Sequence, residues 1–178
     1  MRASHGWFFA SLLAAGCSGA PEARLVPLPP QREMAAAPDL PYERDFVFMT
    51  EARASAMIVR DIAGPGVQRW TGQNPAMRFS LSEAGEWVAE VRFNATRQTL
   101  AETGPITLAF AVNGRPIGTM RVADDAVKTF SAPVRLSTRE AELSFAIDKP
   151  WTSRLDGAKL GVLLHAMGFK RAASRKQP

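Results

Sequence analysis

Residues 86–95 read EWVAEVRFNA, and their alternation decides the fold. Trp87, Ala89, Val91 and Phe93 fall on one side of an extended chain, with Val88, Glu90, Arg92 and Asn94 on the other, because successive side chains of a strand point to opposite faces. One side enters a core and the other meets water. Working outward, the same period of two recurs in PAMRFSL (75–81) through Met77, Phe79 and Leu81, and in AELSFAID (141–148) through Leu143, Phe145 and Ile147. PITLAFAV (105–112) is apolar or small on both sides, which suits a central strand.

Asn113 and Gly114 separate PITLAFAV from PIGTMRV (116–122). This pair tolerates the positive φ angles of a tight primed turn, so a hairpin is expected here. Pro116 then has to lie where no ladder hydrogen bond is needed. Further strands are expected at SAMIVRDI (55–62), VQRW (67–70), AVKTFSAPV (126–134) and KLGVLLHAMGF (159–169), and a single helical turn fits RQTLAETG (97–104). About eight to ten short strands divided by turn residues define an all-β chain folded as an antiparallel β-sandwich of jelly-roll type.

The chain opens MRASHGWFFASLLAAGC (1–17): a positive charge at Arg2, an apolar run from Trp7 to Ala15, then small residues before Cys17, the single cysteine. That order is the order of an export signal over residues 1–16, and the run is too short to span a bilayer. Ala14, Ala15, Gly16 and Cys17 resemble the bacterial lipobox, departing from it in having Ala14 where Leu is usual and Leu13 one step earlier. The resemblance implies an acylated Cys17 holding the protein to the outward side of a membrane, since each buried CH₂ contributes roughly 0.8 kcal/mol. Ser18 resembles the sorting signal for an outer membrane, where the cell has one. An ordinary cleaved signal with an incidental cysteine, and an uncleaved anchor, are the competing readings. Either way a lone cysteine makes no intrachain disulfide, so the core alone has to supply stability.

Residues 17–44 contain prolines at 21, 27, 29, 30, 38 and 41 and no apolar period. They read as an extended linker able to hold the domain up to roughly 80 Å from a membrane. The sandwich is expected over 45–169 and a disordered basic tail, KRAASRKQP, over 170–178. Charge follows this division. The formal net charge is +5, but with Arg2, Lys170, Arg171, Arg175 and Lys176 set aside the body balances its 17 acidic residues with as many basic ones. A near-neutral body lacks the basic face of a nucleic-acid-binding domain.

Two segments carry a family resemblance: ETGPITLAFAVNGRPIG (102–118), with its strand, turn and return strand, and DKPWTSRLDGAKLGVLLHAMGF (148–169), where a DG turn feeds the last strand. Residues 85–169 thereby resemble galactose-binding-like jelly-roll domains of bacterial envelope and polysaccharide-associated proteins. The resemblance implies a non-catalytic module that binds carbohydrate, in a class where some members hold a structural calcium ion. Its motifs are structural and identify no ligand residues.

Trp151, followed by Arg154 and Asp156, is a candidate platform for stacking a sugar's apolar face, with the charged groups taking its hydroxyls; Trp70, near Arg69 and Gln73, is another. The competing roles are plain ones: Trp151 covers the open end of the sandwich, Asp148 ends a strand, and Asp156 with Gly157 makes a turn. Trp87 belongs to the core. Asp61, Asp124, Asp125, Asp148 and Asp156 are scattered without the dense spacing of a calcium loop, and no metal or other cofactor is expected.

Catalytic motifs are missing as well. There is no G-x-S-x-G elbow, no phosphate-binding glycine loop and no H-E-x-x-H helix, and His165 shares its face with Leu163 and Met167 as a packed residue would. An unrecognised hydrolase is the remote alternative, since paired carboxylates meet only in space. Two binding roles therefore compete. A carbohydrate-binding lipoprotein predicts Trp70 or Trp151 exposed among polar neighbours. A structural or adaptor lipoprotein of an envelope assembly predicts a flat apolar patch or a sheet edge open to a partner strand.

Overall fold

The computed structural model describes residues 45–171 apart from Pro65 and Val67. The signal segment, Cys17 and the 17–44 linker lie outside the described residues, as do 172–178. The chain runs β1 (Phe46–Phe48), α1 (Ala54–Met57), β2 (Ile58–Ile62), β3 (Arg69–Ser80), β4 (Gly85–Asn94), α2 (Arg97–Thr103) and β5 (Ile106–Val112). It continues through β6 (Arg115–Val122), β7 (Lys128–Leu136), β8 (Glu140–Ile147), β9 (Trp151–Thr152), β10 (Lys159–Leu160) and β11 (Leu163–Arg171). All pairings are antiparallel.

One layer is ordered β1-β11-β4-β7 and the other β2-β3-β8-β5-β6, and a small β9–β10 hairpin stands apart from both. Strand β3 belongs to both layers: Arg69 and Trp70 pair with the start of β11, whereas Ala76–Ser80 pair with β8. Such a long strand passing from one layer to the other makes a jelly-roll sandwich nearly closed along one side. Arg69–Trp70 and Pro75–Ser80, from the two segments expected as separate strands, are thus parts of one strand. SAMIVRDI divides too, with Ala54–Met57 helical and the strand beginning at Ile58.

The apolar alternation closes on itself. Trp87, Ala89, Val91 and Phe93 are buried from β4, and Leu143, Phe145 and Ile147 from β8. Aromatic contacts join the layers: Phe79 meets Phe169 edge-on at 5.4 Å, and Phe110 stacks on Phe130 at 3.8 Å with ring planes 6° apart. Each fully buried side chain of this size contributes about 1.5–3 kcal/mol.

The Asn113–Gly114 turn forms as expected, with φ of 48° and 74°. Pro116 sits on the outermost strand beside a register shift, where its missing N–H leaves no ladder bond open. Asn113 has a second role that sequence did not reveal: its Oδ1 accepts from the Glu142 N–H at 2.7 Å and pins the turn to β8. In α2, Thr96 caps the first turn by accepting from the Thr99 N–H at 3.1 Å, and the Gly104 N–H returns to the Leu100 carbonyl.

Lys170 and Arg171, expected at the start of a disordered tail, are residues of β11, and the rest of that expected tail lies outside the described residues. Lys170 Nζ lies 3.0 Å from Glu90 Oε1 and stacks over the Phe46 ring at 4.6 Å, while Arg171 pairs with Glu83 at 2.7 Å. Lys170 thus pairs across to β4 and Arg171 to the turn before it, contacts that composition alone reads as a solvated run.

Candidate functional site

Pro150 ends the excursion from β8, and the chain then doubles back as the β9–β10 hairpin, with Trp151 opposite Leu160 and Thr152 opposite Lys159. Its turn is built locally. The Ser153 N–H donates to the Ala158 carbonyl and the Gly157 N–H to the Ser153 carbonyl, both at 2.9 Å. Asp156 Oδ1 accepts from the Ala158 N–H at 3.1 Å. Hydrogen bonding from the Ser153 hydroxyl, then from Ala158, lowers the Asp156 carboxyl below its ordinary range. Asp156 is therefore a turn-forming anion. At the tip Leu155 is 95% exposed, with Arg154 beside it.

The hairpin is fastened to β3 through Thr71, which is fully buried. The Thr71 N–H donates to the Val162 carbonyl, its carbonyl accepts from Gly161, and its Oγ1 accepts from the Val162 N–H at 3.0 Å. That three-way junction fixes the neighbouring Trp70 beside the hairpin. The two indoles meet with centroids 6.3 Å apart and planes tilted by 34°, each half-buried.

Helix α2 supplies the third side. Glu102 ion-pairs with Arg154 at 3.5 Å across to the hairpin tip. The Trp151 indole N–H faces the same carboxylate outside the geometry of a full hydrogen bond, and among the described residues Nε1 has no other acceptor. It is nonetheless the chief influence lowering the Glu102 carboxyl, ahead of Arg154. Lys149 Nζ donates to the Thr103 carbonyl at 3.2 Å and ties the helix end to the same corner.

Trp70, Trp151 and Arg154 thus converge at one end of the sandwich, with Asp156 in the supporting turn. Glu102 was missed, since a glutamate in a short polar helix carries no sequence mark of its partner. The neighbours expected for Trp70 go elsewhere. Arg69, one residue along the strand, is 3% exposed and faces inward, and Gln73 Nε2 donates to the Ile147 carbonyl at 3.3 Å.

His165 stands at a register shift in β11, half-buried, with Nε2 2.7 Å from Asn94 Oδ1, and burial lowers its pKa. The five aspartates are dispersed. Asp61 accepts from the Asn74 N–H, Asp124 pairs with Lys128, Asp125 with Arg97, and Asp148 accepts from the Thr107 N–H at 2.8 Å, ending its strand. Among the described residues no three His, Cys, Asp or Glu side chains gather as a metal site, and no helix is long and apolar enough to cross a membrane.

No protein-family model matches the chain, and no curated protein matches it in sequence. Solved structures do align with it. A family 35 carbohydrate binding module from Clostridium thermocellum aligns at 12% identity over 71% of this chain and 98% of that one, with a TM-score of 0.46. A carbohydrate-binding module CBM36, solved with calcium and xylotriose, aligns at 14% identity over 70% of this chain and 98% of that one, with a TM-score of 0.41. An exo-beta-1,3-galactanase from Phanerochaete chrysosporium aligns at 12% identity over 72% of this chain but 29% of its own length, with a TM-score of 0.44.

Proposed function

We propose that this domain is a non-catalytic binding module that takes carbohydrate against the Trp70–Trp151 pair, carried on a bacterial membrane by an acylated Cys17. The observation behind the reading is the contact of two half-buried indoles at 6.3 Å beside an exposed arginine and a partly exposed glutamate. Indole faces offer a sugar's C–H surface a large apolar contact at low entropy cost. Arg154 donates and Glu102 accepts, which is what hydroxyl groups at the edge of a stacked ring require.

Strand exchange with an envelope protein, the adaptor reading, is opposed by the sheet edges. β1 has three residues; β2 carries two register shifts and Asp61 at φ 53°; β6 contains Pro116 and a register shift; β7 contains Pro133. Short, bulged and proline-bearing edges resist an added strand.

The test is titration of the full chain with soluble bacterial glycans, read by tryptophan fluorescence. A saturable change with one glycan class, lost in Trp151→Ala and Trp70→Ala while the circular dichroism stays native, is the expected result. No change with any glycan would overturn the carbohydrate reading. For the anchor, radiolabelled palmitate is expected to label the wild-type protein and not Cys17→Ser, and equal labelling would overturn acylation there.

A further inference from the structure

On the side of the sandwich away from β3, the edge strands β6 and β7 meet at one point and then part. Gly118 of β6 sits against the Phe130 ring of β7, where a Cβ would come to 3.1 Å. Toward the Asn113–Gly114 turn a cleft of about 410 Å³ opens between the two strands, walled by Val112, Ile117, Val134 and Leu136 with Arg115 and Ser137. No carboxylate among the described residues stands in that wall. Arg115 faces the cleft by register. It pairs across the turn with Val112, which is buried on the inner side of its layer, and cross-strand partners share a face. Arg115 is exposed, and its side chain makes no hydrogen bond or ion pair with any described residue. Arg135 at the rim is turned the other way, to Glu86 at 3.5 Å on the outer side of β4 and β7.

An accessible cation and an apolar wall thus border one cleft, and together they select the ligand. A guanidinium without a partner calls for an anion, and its planar fork matches a carboxylate. Ile117 is only partly buried, and Pro116 and Pro133 are exposed at the rim, so a hydrocarbon body that covers them gains by leaving water. We propose that this cleft binds a small amphiphilic monocarboxylate, its carboxylate on Arg115 and its hydrocarbon between β6 and β7. A wholly hydrophilic anion would leave the apolar wall uncovered, and a neutral apolar molecule would leave Arg115 unpaired. One negative charge suits the site better than two, since only one guanidinium is directed into it. The volume falls within the range of about 300–1,000 Å³ usual for small-molecule sites. This site shares no residue with the proposed carbohydrate face and does not rest on that reading.

Titration of the full chain with hexanoate, followed by amide chemical shifts in the NMR spectrum, tests it, with acetate, 1-hexanol and inorganic phosphate as comparisons. The expected result is a set of saturable shifts confined to residues 112–118 and 130–137, with a dissociation constant of about 1 mM or tighter. Acetate, 1-hexanol and phosphate should bind at least about tenfold more weakly, because each lacks either the hydrocarbon or the single carboxylate. Arg115→Gln, at an exposed position whose side chain holds nothing in the fold, should weaken hexanoate by about fivefold or more. Ile117→Trp, which fills the cleft from its wall, should abolish the shifts while the rest of the spectrum stays dispersed. Trp70→Ala should leave them intact, which separates this site from the carbohydrate reading. Equal binding of acetate, 1-hexanol or phosphate, shifts centred elsewhere, no saturable shift, or undiminished binding in Arg115→Gln would overturn the proposal.

Discussion

The indole rings of Trp70 and Trp151 lie 6.3 Å apart, brought together by the buried hydroxyl of Thr71, which fastens the β9–β10 hairpin to the first residues of β3. Thr71→Val keeps the shape and removes the Oγ1 acceptor of the Val162 N–H. It should cost about 1–3 kcal/mol, the penalty of a buried donor left unpaired. It should also weaken any glycan binding that needs both tryptophans, although neither is altered. Chemical denaturation and the fluorescence titration would measure the two effects; unchanged stability would show that Thr71 does not hold the junction.

Glu90 is almost fully buried on the outer side of its layer, between Lys170 and Arg92. Burial raises its carboxyl, but hydrogen bonds from Lys170 and then Arg92 outweigh this and leave it below its ordinary value of 4.5. The folded state therefore favours the ionised form. Its contribution is complete above the unfolded value and is lost as pH falls through the lower folded value. Glu90→Gln should reduce stability at pH 7 and flatten the fall in stability on acidification from pH 5 downward. Midpoints measured along that pH series would decide it, and parallel curves for the two proteins would refute it.

Gly168 in β11 has φ of 150°, and a Cβ there would strike the Asp45 carbonyl oxygen and come within 2.7 Å of the Phe46 Cα. Both are backbone atoms of the adjoining strand region and cannot swing aside. Gly168→Ala is expected to destabilise by about 3 kcal/mol or more. Gly64→Ala, with nothing within 4 Å of the new Cβ, should stay within about 0.5 kcal/mol. Comparing the two urea midpoints tests whether close strand approach, not glycine content, sets the cost.

Asn113 holds a positive φ of 48° and also accepts from the Glu142 N–H. Asn113→Ala loses both and should cost about 2 kcal/mol, whereas Asn113→Gly keeps the turn and should recover about half of that. Equal costs for the two variants would mean that the tether to β8, and not the turn conformation, is the larger contribution.

The strands were legible because alternation is local: in EWVAEVRFNA each side chain declares its face through its immediate neighbours. The Asn-Gly turn was legible for a similar reason, since φ preference belongs to the residue itself. Element boundaries were less so. Ser55–Met57 became helical and Arg69–Trp70 joined Pro75–Ser80 in one strand, because those outcomes depend on what packs against the segment. Lys170 looked like tail because its partner, Glu90, is remote in sequence and adjacent only once β4 and β11 pair.

By itself, then, the sequence determined an antiparallel β-sandwich and marked Trp70, Trp151 and Arg154 as side chains with something to offer, since period and residue chemistry are properties of short stretches. Only tertiary structure decided that the two tryptophans share one corner, that Glu102 joins them from α2, that Asp156 serves its turn, and that Arg69 turns inward. Those relations join residues distant along the chain, and they arise when β3 passes from one layer to the other and closes the core.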